Sequence, residues 1–238
     1  TLFGKNATAG VINVVTKKPS FDKSGYVTTS IGSNNMKKIK YYSTGPMNET
    51  TAYSVYGSVH KADGHSENVS TGKTVNNRDR FSIRGELFFE LSNDATLRAT
   101  IDYDEYDEFC CAVGSTNYGT GNFIASLMGG GIIPNNPFTE KVFFDYDPVT
   151  EGDNSGISLH YIKESEGTTL ESITSVRNSF NNNVQDVDFD GAPIVNPSPL
   201  SKDLEAVTQE FRLYSNDNEN VNWLVGAYYY QEDMNFNE

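Results

Sequence analysis

The chain has 238 residues and a formal net charge of -14, from 18 Lys and Arg against 32 Asp and Glu. This acidic balance argues against nucleic acid as a partner, because binding to phosphates depends on clustered Lys and Arg. The sequence contains no long apolar run, which excludes a membrane-spanning helix, whereas strands of a membrane barrel alternate apolar with polar residues and leave mean hydropathy low.

The chain opens with a glycine-containing segment, Thr1 to Pro19. Gly4 and Gly10 permit tight backbone turns, and Val11 to Thr16 is rich in residues that favour β-structure. We therefore predict a short strand here. Pro19 ends it, because proline has no N–H to donate to a β-ladder.

Strands separated by turns are predicted for the rest of the chain, because Tyr, Phe and Gly are abundant and helix-period stretches are almost absent. The clearest is Phe81 to Leu91, where an apolar face alternates with a polar face that Phe88 interrupts. A turn at residues 92–94 leads to a second alternating strand, Leu97 to Tyr103, which completes an antiparallel hairpin. The other predicted strands, which bring the number to about nine, lie near Gly25 to Gly32, Met36 to Met47, Thr51 to Lys61, Gly156 to Ile162, Thr168 to Phe180, Ala206 to Ser215 and Trp223 to Glu232.

After the first connection, the predicted connections alternate between short turns and long polar segments. The first connection, Gly32 to Asn35, is an exception, because it is short on the side of the long segments. The long segments are Ala62 to Asp79, Glu108 to Asn154 and Asn181 to Glu205. In an up-and-down sheet this alternation puts the long loops on one side, which is typical of bacterial outer-membrane barrels. The alternation within the strands is less specific, since a soluble sheet with one core face and one solvent face has the same pattern.

Two adjacent cysteines, Cys110 and Cys111, stand near the start of the longest predicted loop. Consecutive Cα atoms lie about 3.8 Å apart, closer than in an ordinary disulfide, so a bridge between them would be strained. An oxidising surface location nevertheless favours a vicinal disulfide, with free or intermolecular thiols as alternatives. Zinc is disfavoured, because no His or Cys partner has ligand spacing.

An acidic motif lies in the third long segment. Asp186, Asp188 and Asp190 occupy alternate positions and Gly191 the sixth, as in the first half of a calcium loop. The twelfth position is Pro197 where a bidentate glutamate is expected, and no helix pattern flanks the motif. The alternative is a strand extension with its carboxylates on the wet face. Beyond this partial calcium match, no metal site is predicted.

No constellation of catalytic residues is evident. The three histidines are scattered along the chain, and no Gly-x-Ser-x-Gly elbow occurs. The sequence therefore predicts neither an enzyme nor a cofactor.

The opening segment closely resembles the end of the plug domain of TonB-dependent outer-membrane receptors. Lys5 stands where the family often has Arg, which keeps the charge. Looser matches follow, because Val27 to Pro46 looks like the family's first barrel hairpin, and Glu210 to Leu213 and Trp223 to Tyr230 look like later barrel strands. The matching positions in the opening segment are Leu2, Phe3, Gly4, Asn6, Ala7, Gly10, Ile12, Asn13, Thr16, Lys17 and Pro19, of which Gly4, Asn6, Gly10, Asn13 and Lys17 define the plug motif.

The resemblance implies an all-β fold in which residues 1–20 end a plug domain and residues 21–238 form the N-terminal part of an antiparallel, up-and-down transmembrane β-barrel. The family's barrel has about 22 strands around a plugged lumen, more than this chain can supply. The chain is therefore expected to be a fragment with an incomplete barrel. The segment that contacts TonB and the remaining strands are expected to lie outside it.

The function implied by the resemblance is TonB-dependent uptake of a scarce nutrient, most often a ferric siderophore or another iron complex, across the bacterial outer membrane. TonB, the siderophore and outer-membrane lipid are the expected partners. Tyr118, Phe123 and Phe138 in the longest loop are aromatic candidates for substrate contacts. The alternatives are a soluble extracellular β-sandwich for carbohydrate binding or adhesion, and a small passive barrel closed by the predicted strands.

Overall fold

The computed structural model describes residues 10, 14–114, 127, 136–189, 191–193, 195–216 and 221–237. These residues form strands joined by turns and loops. In chain order the strands are β1 (Ser24–Ile31), β2 (Lys37–Pro46), β3 (Thr51–Ala62), β4 (Ser66–Asn68), β5 (Lys73–Val75), β6 (Arg78–Ser92), β7 (Ala95–Glu108), β8 (Lys141–Val142), β9 (Val149–Ser165), β10 (Thr168–Gln185), β11 (Ser198–Ser215) and β12 (Leu224–Asn237).

Nine of these strands make one antiparallel sheet in the order β1-β2-β3-β6-β7-β9-β10-β11-β12. Each strand of this sheet pairs with the next one along the chain, which is the up-and-down arrangement predicted from the alternating connections. Within the described residues the two outer strands, β1 and β12, do not pair with each other, so the sheet is open. The all-β fold, the nine strands and the incomplete barrel are thereby confirmed.

The two faces of the sheet differ in chemistry. One face, here called the outward face, carries apolar side chains that remain exposed, including Ile83 (46% exposed), Ile101 (59%) and Ile157 (56%). The opposite face, here called the lumenal face, carries Arg84, Glu86 and other polar residues in the alternate positions. No layer of the described residues covers the outward face, whereas a β-sandwich would bury such a face in a core. The sandwich alternative is therefore not favoured.

Strands β9, β10 and β11 are 17, 18 and 18 residues long and extend far into segments predicted as loops. The predicted loop boundaries were wrong here because polar residues occupy both faces of the outer strand ends and remove the alternation. Backbone pairing continues nevertheless, and side-chain hydrogen bonds such as Asn182 Nδ2 to Glu151 Oε1 (2.8 Å) support it. Strands of roughly 55 Å extend well beyond an apolar band about 25 Å tall.

Strand β10 keeps its register despite an imperfect alternation in the sequence. Leu170 and Val176 lie on the outward face, whereas Ile173 pairs with His160 of β9 on the lumenal side. The pairing of β10 with β9 is continuous, without a bulge. The ladder between β6 and β7 does shift, between Glu90 and Ser92.

The long loops contain a second sheet that the sequence did not predict. Its three short strands are ordered β5-β4-β8, with β4 antiparallel to β5 and parallel to β8. The same region has a short 3-10 helix, Pro137–Thr139, which Asn136 caps by accepting a hydrogen bond from the Phe138 N–H. No helix within the described part of the chain is long and apolar enough to span a membrane.

Candidate functional site

A buried carboxylate organises the centre of the lumenal face. Glu86 on β6 is 5% exposed, and two arginines bind it from either side. Arg84 Nε lies 2.6 Å from one carboxylate oxygen, and Arg98 of β7 donates to the other from its Nε (2.9 Å) and NH2 (2.6 Å) atoms. Charge-assisted bonds of this geometry are among the strongest in proteins. The cluster thus joins two neighbouring strands through their lumenal side chains.

The same arginines contact the residues that precede β1. The described part of these, residues 14–20, is here called the plug segment, because the opening sequence resembles the end of a plug domain. The Thr16 hydroxyl accepts a hydrogen bond from Arg98 NH2 at 2.6 Å and from Arg84 NH2 at 3.2 Å. One hydroxyl therefore bridges two guanidinium groups that are already paired with Glu86. This contact places the plug segment against the lumenal face.

The plug segment then crosses into β1 over an apolar contact at the lumenal face. Phe88, which interrupted the polar face in the sequence, is 8% exposed and meets the Phe21 ring edge-on at 6.4 Å. Lys18 Nζ lies 4.9 Å from the centre of the same ring. Phe88 lies on the polar face of β6, and its packing against Phe21 at the crossover explains why this residue is apolar.

A buried threonine on β2 fixes the backbone of this crossover. The Thr44 hydroxyl accepts from the Ser20 N–H at 2.9 Å and donates to the Tyr53 carbonyl at 2.7 Å. Thr44 is 1% exposed, and Pro19 beside it is fully buried. The end of the plug segment is thus bound by both polar and apolar contacts.

Further ion pairs line the lumenal face. Glu171 on β10 lies 2.5 Å from His160 Nε2 and 3.5 Å from Arg212 NH1, and Arg177 pairs with Asp102. Glu108, at the outer end of β7, is nearly buried and binds Arg80 at 2.5 Å. The lumenal face therefore carries several pairs of opposite charges. Such a face is better suited to contact with water in a lumen than to contact with lipid.

The outer loops pack together into a compact unit, here called the loop cluster, made of the small sheet with residues 109–112, 142–148 and 186–189. Its apolar centre consists of buried side chains from separate loops: Val75, Ala112, Val142 and Phe144. The Phe144 and Phe189 rings meet edge-on at 5.8 Å, which adds the loop that follows β10.

Buried polar groups tie the loop cluster together. Asn68 is fully buried, donates to Asp147 at 2.9 Å and accepts from the Phe144 N–H at 3.1 Å. Burial alone would raise the pKa of Asp147, but hydrogen bonds from Thr71, Asn68 and Lys73 outweigh it and the pKa lies below its usual value. Asp147 is thus a charged link between two loops.

The two cysteines lie at the edge of the loop cluster. In the structure the Cys110 and Cys111 sulfur atoms are joined in a disulfide. Cys110 is buried, and its carbonyl accepts a hydrogen bond from the Thr150 hydroxyl at 2.8 Å. The vicinal pair therefore lies where the chain leaves β7 and meets the start of β9.

The structure describes only some of the site residues named from the sequence. Gly10 and Lys17 of the plug motif are described, and Lys17 adjoins Thr16, the residue that makes the lumenal contact. Phe138 is 89% exposed on the short helix. Asp186 and Asp188 lie close together in space beside Asp145. The remaining residues fall outside the described part of the chain: Gly4, Asn6, Asn13, Tyr118, Phe123 and Asp190.

Sequence reasoning missed several residues that the structure brings together. Thr16 was among the matching positions but had no assigned contact, and Asn68, Asp145 and Asp147 had no role at all. From the sequence alone, nothing around Thr16 indicates which residue its hydroxyl contacts. The arginines on the polar face of β6 and β7 were the available clue, since buried guanidinium groups need acceptors.

Known proteins are similar to this chain in sequence and in structure. No family model matches the chain. The ferric enterobactin receptor PirA of Pseudomonas aeruginosa is 25% identical over 138 residues, covering 50% of this chain and 18% of that protein. The pesticin receptor of Yersinia enterocolitica is 33% identical over 98 residues, covering 40% of this chain and 14% of that protein. The chain thus spans less than a fifth of the length of these curated relatives.

Solved receptors share the fold over nearly the whole chain. The ferric yersiniabactin uptake receptor of Yersinia pestis has a TM-score of 0.78 at 17% identity and covers 99% of this chain and 35% of that one. The siderophore receptor PiuA of Acinetobacter baumannii has a TM-score of 0.75 at 13% identity, with 97% and 33% covered. The ferric-catecholate import receptor of E. coli in its closed form has a TM-score of 0.72 at 14% identity, with 98% and 34% covered.

These findings agree with the resemblance noted in the plug motif and with the outer-membrane location that it implied. The matched proteins are named as receptors or import receptors, and the fold is that of their barrels. The sequence similarity and the fold together support a fragment of a TonB-dependent receptor of the bacterial outer membrane.

Proposed function

We propose that the protein to which this chain belongs takes up a ferric siderophore or another iron complex across the bacterial outer membrane, in a process that depends on TonB. Its role is transport rather than catalysis. The named relatives bind or import ferric enterobactin, ferric yersiniabactin, ferric catecholates or pesticin, according to their descriptions. Iron complexes are the class common to most of them, so they are the preferred substrate.

The observation that carries this proposal is the contact between Thr16 and the arginines of the lumenal face. A hydroxyl held by Arg84 and Arg98 at 3.2 and 2.6 Å fastens the plug segment by hydrogen bonds, without a dry apolar interface at that point. Hydrogen bonds to charged groups contribute roughly 1.5–3 kcal/mol each. Such hydrogen bonds hold a plug in place, and hydrogen bonds to water can replace them when the plug moves.

The domain division implied by the resemblance is part of this proposal. We place residues 1–20 at the end of the plug and residues 21–238 in the barrel, because Phe21 packs on Phe88 at the point where the chain reaches the sheet. TonB would act on a part of the plug outside this chain. Outer-membrane lipid would cover the exposed apolar side chains of the outward face, such as Ile101 and Ile157.

The substrate is proposed to bind on the outer side, where the long loops gather. Phe138 is well placed for this because its side chain is 89% exposed on the short helix of the longest loop. Tyr118 and Phe123 belong to the same loop and are proposed as further aromatic contacts. Aromatic side chains supply large contact area to a ligand at low cost in conformational entropy.

Uptake of radioactive iron by whole cells tests the proposed function. The gene that contains this sequence is deleted, and iron uptake is measured with purified ferric siderophores of the catecholate and yersiniabactin classes. The proposal predicts loss of uptake of one such complex, recovery with the intact gene, and no recovery in a strain that lacks TonB. Uptake that is unchanged by deletion for every complex, or that survives without TonB, would overturn it.

A further inference from the structure

Three carboxylates from two separate loops converge in the loop cluster. Asp145 lies between β8 and β9, whereas Asp186 and Asp188 follow directly after β10. One oxygen atom from each lies within 4.8 Å of the others. Two of the three belong to the calcium-like motif of the sequence, and Asp145 reaches them from about forty residues away, a partner that the motif did not predict.

Two oxygen atoms in this group are buried without a hydrogen-bond donor. Asp186 is 2% exposed, and its Oδ1 atom accepts from the N–H groups of Asp188 (3.2 Å) and Phe189 (2.8 Å). Its Oδ2 atom and Asp145 Oδ1 are buried and have no hydrogen-bond partner among the described residues. A buried carboxylate oxygen without a donor is costly, because it has lost its hydration without compensation. A positively charged ligand would compensate both oxygen atoms for the hydration that they have lost.

The electrostatics agree with this geometry. Burial first, and then the neighbouring Asp188 and Asp145, raise the pKa of Asp186 to about 7. Asp147, two residues from Asp145, differs because Lys73 lies 3.1 Å from its carboxylate and balances the charge. The same loop thus contains one aspartate with a cationic side chain beside it and one whose buried oxygen lacks a donor.

We propose that Asp145, Asp186 and Asp188 bind a divalent cation, Ca²⁺ by preference. Ca²⁺ takes about six to eight oxygen ligands at roughly 2.3–2.6 Å, so two of its ligands lie up to about 5 Å apart. The observed separations, all within 4.8 Å, fall inside that limit. Three carboxylates leave room for backbone carbonyls and water, which Ca²⁺ accepts more readily than Mg²⁺ does because its coordination is flexible.

The position of this site gives it a structural consequence. It joins the connection between β8 and β9 to the loop after β10, next to the contact between the Phe144 and Phe189 rings. A bound cation would cross-link two loops that otherwise meet at this apolar contact. Ca²⁺ binding is therefore expected to order the loop cluster on the outer side of the barrel.

Calcium binding to the whole receptor tests this proposal. The receptor is purified in detergent, treated with a chelator and titrated with CaCl₂ in a calorimeter, with no siderophore present. Asp145→Asn and Asp186→Asn remove one charge each at the site. Glu140→Gln is the matched control, because it removes one charge from an exposed side chain of the same loop.

The expected result is one calcium site in the natural protein and in Glu140→Gln, with affinity lower by roughly tenfold or more in each aspartate variant. If Asp186→Asn does not fold, Asp145→Asn, which leaves the more buried aspartate in place, decides the matter. No calcium binding by the natural protein, or unchanged binding by Asp145→Asn, would overturn the proposal. The measurement is independent of iron uptake, so either proposal can fail while the other stands.

Discussion

The Thr16 hydroxyl lies 2.6 Å from the Arg98 guanidinium, which ties the plug segment to β7 although the two residues are 82 positions apart in the chain. Arg98 reaches this hydroxyl while both of its donating atoms also bind Glu86. The guanidinium group is planar and presents its donors in a fixed fork, so a carboxylate on one side orients it for a second acceptor. The orientation of the plug contact is thus set by a buried glutamate on the barrel.

Removing that glutamate charge is expected to weaken both contacts. Glu86→Gln leaves Arg84 and Arg98 without their shared carboxylate, and breaking such a pair costs about 3 kcal/mol or more when it is buried. We expect a lower free energy of unfolding in urea, followed by intrinsic fluorescence. Glu90→Gln on the same strand is the control, because Glu90 is exposed. Equal stabilities of the two variants would contradict the role assigned to Glu86.

Replacing the plug hydroxyl tests the contact from the other side. Thr16→Val keeps the shape of the side chain but removes the acceptor for Arg84 and Arg98, at an expected cost of about 1.5 kcal/mol or more. Hydrogen exchange of residues 14–20 should become faster, while exchange in β6 and β7 changes little. Thr16→Ser retains a hydroxyl and should behave like the natural protein. If Thr16→Val leaves exchange of the plug segment unchanged, the contact does not hold it.

Phe88 is expected to contribute more to the stability of the fold than its position on the polar face suggests. Phe88→Ala removes the ring that Phe21 and Lys18 contact, and loss of a buried phenylalanine costs roughly 3–5 kcal/mol. Thermal unfolding in detergent should show a clear loss of stability. Phe88→Leu keeps most of the apolar volume and should lose less than half as much. Equal losses in both variants would contradict this expectation, because they would mean that apolar volume at this position contributes nothing without the ring.

A charged residue on the outward face is expected to destabilise the folded protein in the membrane. Ile83→Arg puts a cation on the lipid side of β6, at a cost of about 2–4 kcal/mol near the centre of the bilayer. Ser82→Arg, on the adjacent lumenal position, faces Asp104 of β7 and should change stability by less than about 1 kcal/mol. Folding into lipid vesicles, followed by gel mobility without heating, compares the two. A larger loss for Ser82→Arg would reverse the assignment of the faces.

The adjacent cysteines offer a chemical check. In the structure Cys110 and Cys111 are bridged, so neither of these two cysteines should react with an alkylating reagent before reduction. After reduction two alkyl groups should be added. Peptide mass spectrometry across this segment reads the result directly. Full alkylation without reduction would show that the pair is not a disulfide in solution.

The fold could be predicted from the sequence where the two faces of a strand lie in different environments, one apolar and one polar. The hairpin formed by β6 and β7 was predicted correctly because Ile83 and Ile101 alternate with Arg84 and Asp102. The outer ends of β9 to β11 were not, because water bathes both faces there and residues such as Asn181 and Asn182 follow no period. The strands β4, β5 and β8 are too short to show any alternation.

The candidate sites were less predictable than the fold for a related reason. Thr16 and Arg98, or Asp145 and Asp186, meet only because distant parts of the chain come together in the barrel and its loops. The acidic motif was visible as a local pattern, but its third partner lies in another loop. Phe88 interrupts the polar face in the sequence, and only the structure shows the contact with Phe21 that explains it.

The most direct test of the central claim measures which face of the sheet lies in lipid. Spin labels are placed at Ile101→Cys on the outward face and at Ser158→Cys on the lumenal face, with Cys110 and Cys111 replaced by serine, and the receptor is folded into vesicles. Collision with oxygen, which concentrates in hydrocarbon, is compared with collision with a water-soluble nickel chelate. A higher ratio of oxygen to nickel collisions at position 101 than at position 158 is expected. Equal ratios, or the reverse order, would contradict a barrel whose apolar face lies in the membrane.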